Sequence, residues 1–244
     1  MSLVLKDPWL QLPITPMIKI MPGLYAKLET VNPTGSIKDR PIKFIVEAAL
    51  KTGKIKKGTM LVEATSGNTG IALSAIGASL GLEVKIVMPR NMSIERRQMM
   101  LAYGAQIIDV PDSDFTAAID KRNEMVAAGC WSPMQFENKL NIECHKSTTA
   151  KEILSQMPPE ECLSAFISGA GTGGTIMGIR QALLDANLKT DICMVVPEEA
   201  PDAHGIQGIG DGADFLADPA LCDIIMPVKT LHAKQKALDF AKSH

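Results

Sequence analysis

Lys38 stands in the string P-T-G-S-I-K-D-R, where a turn gives way to residues with helical spacing. A lysine at a helix start feels the positive end of the helix dipole, and Arg40 adds a second cationic influence, so both favour the neutral amine. A neutral lysine is the form that Schiff-base chemistry requires. Most lysines at such positions are solvated surface residues, so Lys38 carries weight only in company. That company is a pair of glycine-punctuated strand-to-helix junctions. The first, V-E-A-T-S-G-N-T-G-I-A-L over residues 62–73, gathers Thr65, Ser66, Asn68 and Thr69 around Gly67 and Gly70. Its short polar side chains and the unpaired amides of the following helix would receive a carboxylate as well as a phosphate, although an ordinary capped loop would read the same way. The second, G-A-G-T-G-G-T over residues 169–175, holds four glycines and can direct several backbone N–H groups onto a phosphate. It lacks the G-K-[ST] that places a lysine on a triphosphate, and no acidic residue ends a neighbouring strand in a dinucleotide pattern. A single phosphate on an organic cofactor is the better fit.

These residues need elements to position them. Four prolines, Pro8, Pro13, Pro16 and Pro22, keep residues 1–23 from forming a stable helix, with a short strand at 17–20. Residues 24–28 read as a strand and 42–50 as a helix, which puts Lys38 where loop becomes helix. A strand at 60–64 and a helix at 71–80 flank the first junction. Then come strand 83–88, helix 93–102, strand 106–110 and helix 115–128. Residues 129–146 break this rhythm: polar, aromatic and punctuated, they read as a crossing between two lobes. Beyond them lie helix 148–157, strand 165–168, helix 176–186, strand 192–196, a long glycine-punctuated loop, strand 224–228 and helix 232–242. Alternating strands and helices with short connections predict an α/β fold of mainly parallel sheets flanked by helices, with right-handed crossovers.

Composition narrows the function classes. The 244 residues, 46% of them hydrophobic, suffice for one large or two modest cores, without disulfides or bound metal. Lys and Arg number 25 against 27 Asp and Glu, for a formal charge of -2, with both signs dispersed. That balance gives no reason to expect nucleic acid or a membrane surface as partner. The five cysteines, Cys130, Cys144, Cys162, Cys193 and Cys222, form no C-x-x-C pair and read as reduced thiols. The first residues do not read as a signal peptide, and no stretch approaches the length of a membrane span. A soluble cytoplasmic protein is expected.

A Schiff-base lysine, one phosphate cradle and a separate carboxylate loop together describe a pyridoxal phosphate enzyme acting on an amino acid. The strings N-P-T-G-S-I-K-D-R, E-A-T-S-G-N-T-G-I-A-L, P-x-N-M-S-x-E-R-R from Pro89, G-T-G-G-T from Gly171 and H-G-I-Q-G-I-G from His204 resemble the cysteine synthase (O-acetylserine sulfhydrylase) family of fold type II pyridoxal phosphate enzymes. Cystathionine beta-synthase is a close cousin. The resemblance runs in family order from about Thr15 onward and implies a two-lobed, tryptophan synthase beta-like fold. Residues 1–36 would contribute an arm and strands to the large lobe, 37–145 would form the smaller lobe with the lysine and substrate loop, and 146–244 the large phosphate-binding lobe. Family members continue with further elements, including a G-[IV]-S-S-G string whose serine meets the pyridine nitrogen, so the C-terminal part is expected to be incomplete relative to the family.

The resemblance also implies residue roles. Lys38 would hold pyridoxal 5'-phosphate and move the substrate's alpha proton. Asn68 would hydrogen-bond the ring hydroxyl, and Gly171, Thr172, Gly173, Gly174 and Thr175 would hold the phosphate. Thr65, Ser66 and Thr69, with Gln135, would grip the substrate carboxylate, and Gly208 and Ile209 would line the mouth beside His204. Asp39 and Arg40 would anchor the lysine-bearing helix. The implied reaction is a beta-replacement that turns O-acetylserine and sulfide, or a related sulfur donor, into cysteine and acetate. A homodimer and a serine acetyltransferase are the implied partners, and no metal is involved. Serine or threonine deamination, cystathionine-type condensation and a non-catalytic binding role stay open as alternatives.

Overall fold

Two compact units, Met1–Asn141 and Ile142–His244, divide the chain. The computed structural model describes residues 3, 9, 11–65, 67–200, 208–209 and 216–243. The expected arm of residues 1–36 belongs to the first unit. Its strands β1 (Met17–Met21) and β2 (Leu24–Lys27) pair antiparallel across the turn at Met21 to Leu24. Helix α1 (Asp39–Lys51) follows, burying Ile42, Ile45, Val46 and Ala49 along one face, the stripe that i, i+3, i+4, i+7 spacing produces.

The first unit's main sheet is parallel, in the order β3-β4-β5: β3 (Leu61–Ala64), β4 (Val84–Pro89) and β5 (Gln106–Val110). Leu61 is opposite Val84, and Ile86 opposite Ile107. Side chains alternate across the strands, so Leu61 and Ile86 enter one hydrophobic cluster while Val62, Ala64 and Val87 enter another. Helices cover both faces: α1 and α2 (Asn68–Leu80) contribute to the first cluster, and α4 (Phe115–Ala127) to the second. Helix α2 is buried nearly all round, and the missing side chain of Gly77 lets Val84 pack against its backbone. Helix α3 (Ile94–Ala102) keeps only Met100 buried. On the other edge of β3, Trp131 forms a parallel bridge to Leu61; its N–H donates to the Met60 carbonyl at 2.9 Å, and its carbonyl accepts from Val62 N at 2.8 Å. The segment expected to be only a crossing therefore adds a short partner to the sheet.

That segment also contains a helix the sequence pattern does not announce, α5 (Leu140–Ser147). In the second unit, α6 (Thr149–Gln156) packs against α7 (Gly174–Asp185), and α7 lies on a parallel sheet of order β6-β7-β8. These strands are β6 (Ala165–Gly169), β7 (Asp191–Pro197) and β8 (Ile224–Val228), followed by α8 (Thr230–Ser243). Gly178 permits close packing of α7 on α5: a β-carbon there would lie 2.5 Å from the Ile142 carbonyl oxygen and 2.8 Å from His145 Cβ. Among the described residues no helix is long and apolar enough to cross a membrane.

Candidate active site

Lys38 occupies the N-cap of α1, its backbone N–H donating to Ser36 Oγ at 3.2 Å. The side chain is half-buried by surface area, yet its surroundings desolvate it enough to push the ammonium pKa below its ordinary value. Among the described residues Nζ has no hydrogen-bond or ion-pair partner. Arg40, expected from sequence to help keep the amine neutral, is engaged elsewhere. Its Nε donates to Glu29 Oε2 at 2.7 Å, and its Nη2 to Thr15 Oγ1 at 2.9 Å. Burial is thus the cause of the shift, and Glu29 neutralises the arginine. Asp39 accepts from the Thr34 backbone N–H at 2.7 Å and from the Thr34 hydroxyl, so the turn before Lys38 is closed onto the first residue of α1. Burial raises the Asp39 pKa, and the Thr34 hydrogen bonds oppose it.

The junction read from sequence as a carboxylate site lies between β3 and α2. Thr65 is buried and continues the parallel ladder through its N–H to the Val87 carbonyl at 3.1 Å; its hydroxyl accepts from Gly67 N at 3.2 Å. A β-carbon on Gly70 would lie 2.9 Å from Thr65 Cγ2 and 2.7 Å from Met100 Cε, so this glycine serves packing as well as the turn. Thr69 is buried and donates its hydroxyl to Gln135 Oε1 at 2.6 Å, across 66 residues of sequence. The Gln135 oxygen is therefore occupied, and its Nε2 donors have no partner among the described residues. The first amides of α2 lack intrahelical acceptors. Gln135 and Thr69 are thus brought together, Asn68 lies exposed beside them in sequence, and Ser66 falls outside the described residues.

In the second unit the loop after β6 leads into α7. Gly173 has φ +86, a left-handed conformation, and a β-carbon there would collide with the backbone of Ala217. One at Gly171 would collide with the Gly208 carbonyl, and one at Gly169 would lie 2.6 Å from Ile209 Cδ1. Gly208 and Ile209 are therefore placed against the glycine loop itself. The Thr172 carbonyl accepts from Leu216 N at 2.9 Å, and its hydroxyl from Gly174 N at 3.4 Å. Met177 N bonds back to Gly173 O at 3.1 Å, and of the preceding turn's amides Gly174 N already faces the Thr172 hydroxyl, so an anion here would meet those that follow it. His204 lies outside the described residues.

Residues 9–233 match the family described as pyridoxal-phosphate dependent enzyme. The chain belongs to that family. Among relatives of this pyridoxal-phosphate dependent enzyme, the cysteine synthase of Flavobacterium sp. is 38% identical, over 93% of this chain and 79% of its own. The solved cysteine synthase of Entamoeba histolytica superposes with a TM-score of 0.87 at 32% identity, covering 98% of this chain and 77% of that one. The O-acetylserine dependent cystathionine beta-synthase of Helicobacter pylori reaches 0.82 at 31% identity, with 93% and 80% covered.

The residues present fit pyridoxal phosphate. A desolvated amine with no partner among the described residues suits its aldehyde, and a glycine loop backed by the main chain of Gly208 and Ala217 at the start of α7 suits its phosphate. Pattern reading overlooked several polar residues behind these sites. Glu63, Arg122 and Asn141 stand behind Gln135. His145, buried on α5, contacts Thr149 Oγ1 at 2.9 Å through Nδ1 and Thr175 Oγ1 at 3.3 Å through Nε2. Only Glu63 left a sequence signal, a charge inside an otherwise apolar four-residue strand.

Proposed function

We propose that this enzyme forms L-cysteine from O-acetyl-L-serine and sulfide, releasing acetate by beta-replacement. The observation that carries the reading is a desolvated, unpartnered lysine in the same unit as a helix start flanked by Thr69 and Gln135, together with relatives named cysteine synthase. Bound pyridoxal phosphate supplies the electron sink that makes the alpha proton acidic. Lys38 Nζ, whose pKa burial lowers, accepts that proton. The first amides of α2, that of Thr69 among them, with Thr65, Ser66 and the Nε2 donors of Gln135, hold the substrate carboxylate. Asn68 addresses the cofactor's ring hydroxyl. Gly171, Thr172, Gly173, Gly174 and Thr175 hold the phosphate, and Gly208 and Ile209 border the substrate from beside that loop. Acetate leaves the beta carbon, and sulfide adds there.

Five cysteines, none of them in a disulfide among the described residues, support a reducing, cytoplasmic setting. Exposed Ile224, Ile225 and Met226 on β8, with Leu231 and Leu238 on α8, support a homodimer. A serine acetyltransferase is the proposed protein partner, through a terminal carboxylate that would compete for the same loop.

The test supplies the protein and pyridoxal phosphate with O-acetylserine, with and without sulfide, and quantifies cysteine, acetate and pyruvate. Cysteine and acetate in equal amounts, dependent on sulfide, are expected. Pyruvate dominating in the presence of sulfide would assign the enzyme as a deaminase instead. The Helicobacter neighbour supports a second donor, so cystathionine formed from homocysteine in preference to cysteine would move the donor from sulfide to an organic thiol.

A further inference from the structure

Arg122 on α4 and Glu63 on β3 are both completely buried and meet at 3.2 Å, Nη1 to Oε1. A buried ion pair is a poor stability device, because desolvating two charges offsets their attraction, and apolar residues of similar size serve as well or better. This pair is also incompletely satisfied: Arg122 Nε is buried without a partner, and Nη2 reaches the largely exposed Glu137 at 3.4 Å. What the Glu63 carboxylate does hold is the backbone of a distant loop. Its Oε2 accepts from Gln135 N at 3.2 Å, 72 residues away, while Oε1 also accepts from Ala64 N at 2.9 Å. The Gln135 carbonyl in turn accepts from Asn141 Nδ2 at 3.0 Å. Gln135 is thus gripped at both of its backbone polar groups.

The loop needs such a grip. Met134, the residue before Gln135, has φ +52, a left-handed conformation uncommon for a side chain of that size. A conformation of this kind persists where its surroundings over-determine it, and such places cluster at ligand sites. With the backbone fixed and Thr69 occupying Oε1, the amide of Gln135 can present only its Nε2 donors to a ligand.

We propose that Arg122 and Glu63 are positioning residues for amino-acid binding: the charge-balanced carboxylate clamps the Gln135 backbone so that its side chain meets the substrate carboxylate. The inference rests on the reading of Gln135 and Thr69 as carboxylate ligands.

The test replaces both charges by residues of similar shape, Glu63→Met with Arg122→Met, which avoids a lone buried charge. The KM for O-acetylserine rises about tenfold, the size of one lost charge-assisted hydrogen bond, while kcat, the KM for sulfide and the resting cofactor absorbance stay unchanged. Glu63→Gln with Arg122→Met returns an acceptor to Gln135 N and recovers most of that loss. In cofactor-free protein, hydrogen exchange at Gln135 N quickens in the Met pair and slows again in the Gln variant, a readout independent of turnover. Gln135→Ala separates the two claims. Raised KM in Gln135→Ala, with no further rise when it is added to the Met pair, supports the positioning role. A folded Met pair with normal KM beside an impaired Gln135→Ala overturns the positioning role and leaves the carboxylate reading standing; a normal KM in Gln135→Ala overturns both. If the Met pair fails to fold, the Gln variant carries the test through exchange at Gln135, and wild-type protection there together with a raised KM overturns the clamp.

Discussion

An amine that is desolvated and unpartnered destabilises its own fold while it is charged, and Lys38 is in that position. Its pKa is lower in the folded chain than in the unfolded one, so between the lowered value and 10.5 the unfolded state binds more protons. Stability contributed at this site therefore rises with pH across that window. Lys38→Met should accordingly stabilise the cofactor-free protein near neutral pH, with the gain shrinking as pH approaches 10.5; parallel thermal denaturation of both proteins across this range measures it. A pH-independent gain would mean that the amine is solvated. The place of Lys38 at a loop-to-helix boundary was legible from P-T-G-S-I-K-D-R, but the burial that lowers its pKa was not. Arg40 looked like a free neighbouring charge, and only the fold brings Glu29 and Thr15 onto it. Pairing of that kind depends on tertiary approach, which local sequence does not encode.

At the scale of elements, the strands were readable as short apolar runs closed by turn residues, β4 nearly continuous apart from Lys85, and α1 by its apolar spacing of 3.6. Helix α5 was hidden. Its sequence, L-N-I-E-C-H-K-S, mixes charge with small apolar residues and follows Pro133 and a run of polar residues, yet Cys144 and His145 are buried. The glycine loop before α7 was recognised, but for only part of its physical reason. Gly171 and Gly173 are required by the backbones of Gly208 and Ala217 behind them, contacts that no local motif displays. Gly173→Val should therefore displace the loop, through a left-handed backbone costing about 1 to 2 kcal/mol and through the collision with Ala217. The expected result is a folded protein that purifies without cofactor absorbance. Normal cofactor retention in that variant would assign the loop a structural role alone.

Across the whole molecule, the proposed site residues fall in both units, with Lys38 and the junction at residues 65–69 in Met1–Asn141 and the glycine loop in Ile142–His244. Parallel sheets in both units follow from alternating strands and helices, and this α/β class was readable in the sequence. The unit boundary, after Asn141, falls within the stretch 129–146 that the sequence reads as a crossing between two lobes. Lys38, desolvated in the first unit of a pyridoxal-phosphate dependent enzyme, is the proposed point where protein and cofactor join. The most direct test loads the intact chain with pyridoxal phosphate, reduces it with borohydride and maps the pyridoxyl group by peptide mass spectrometry. The account predicts the label on the peptide containing Lys38; a label on Lys27 or Lys43 instead, with Lys38 unmodified, would contradict it.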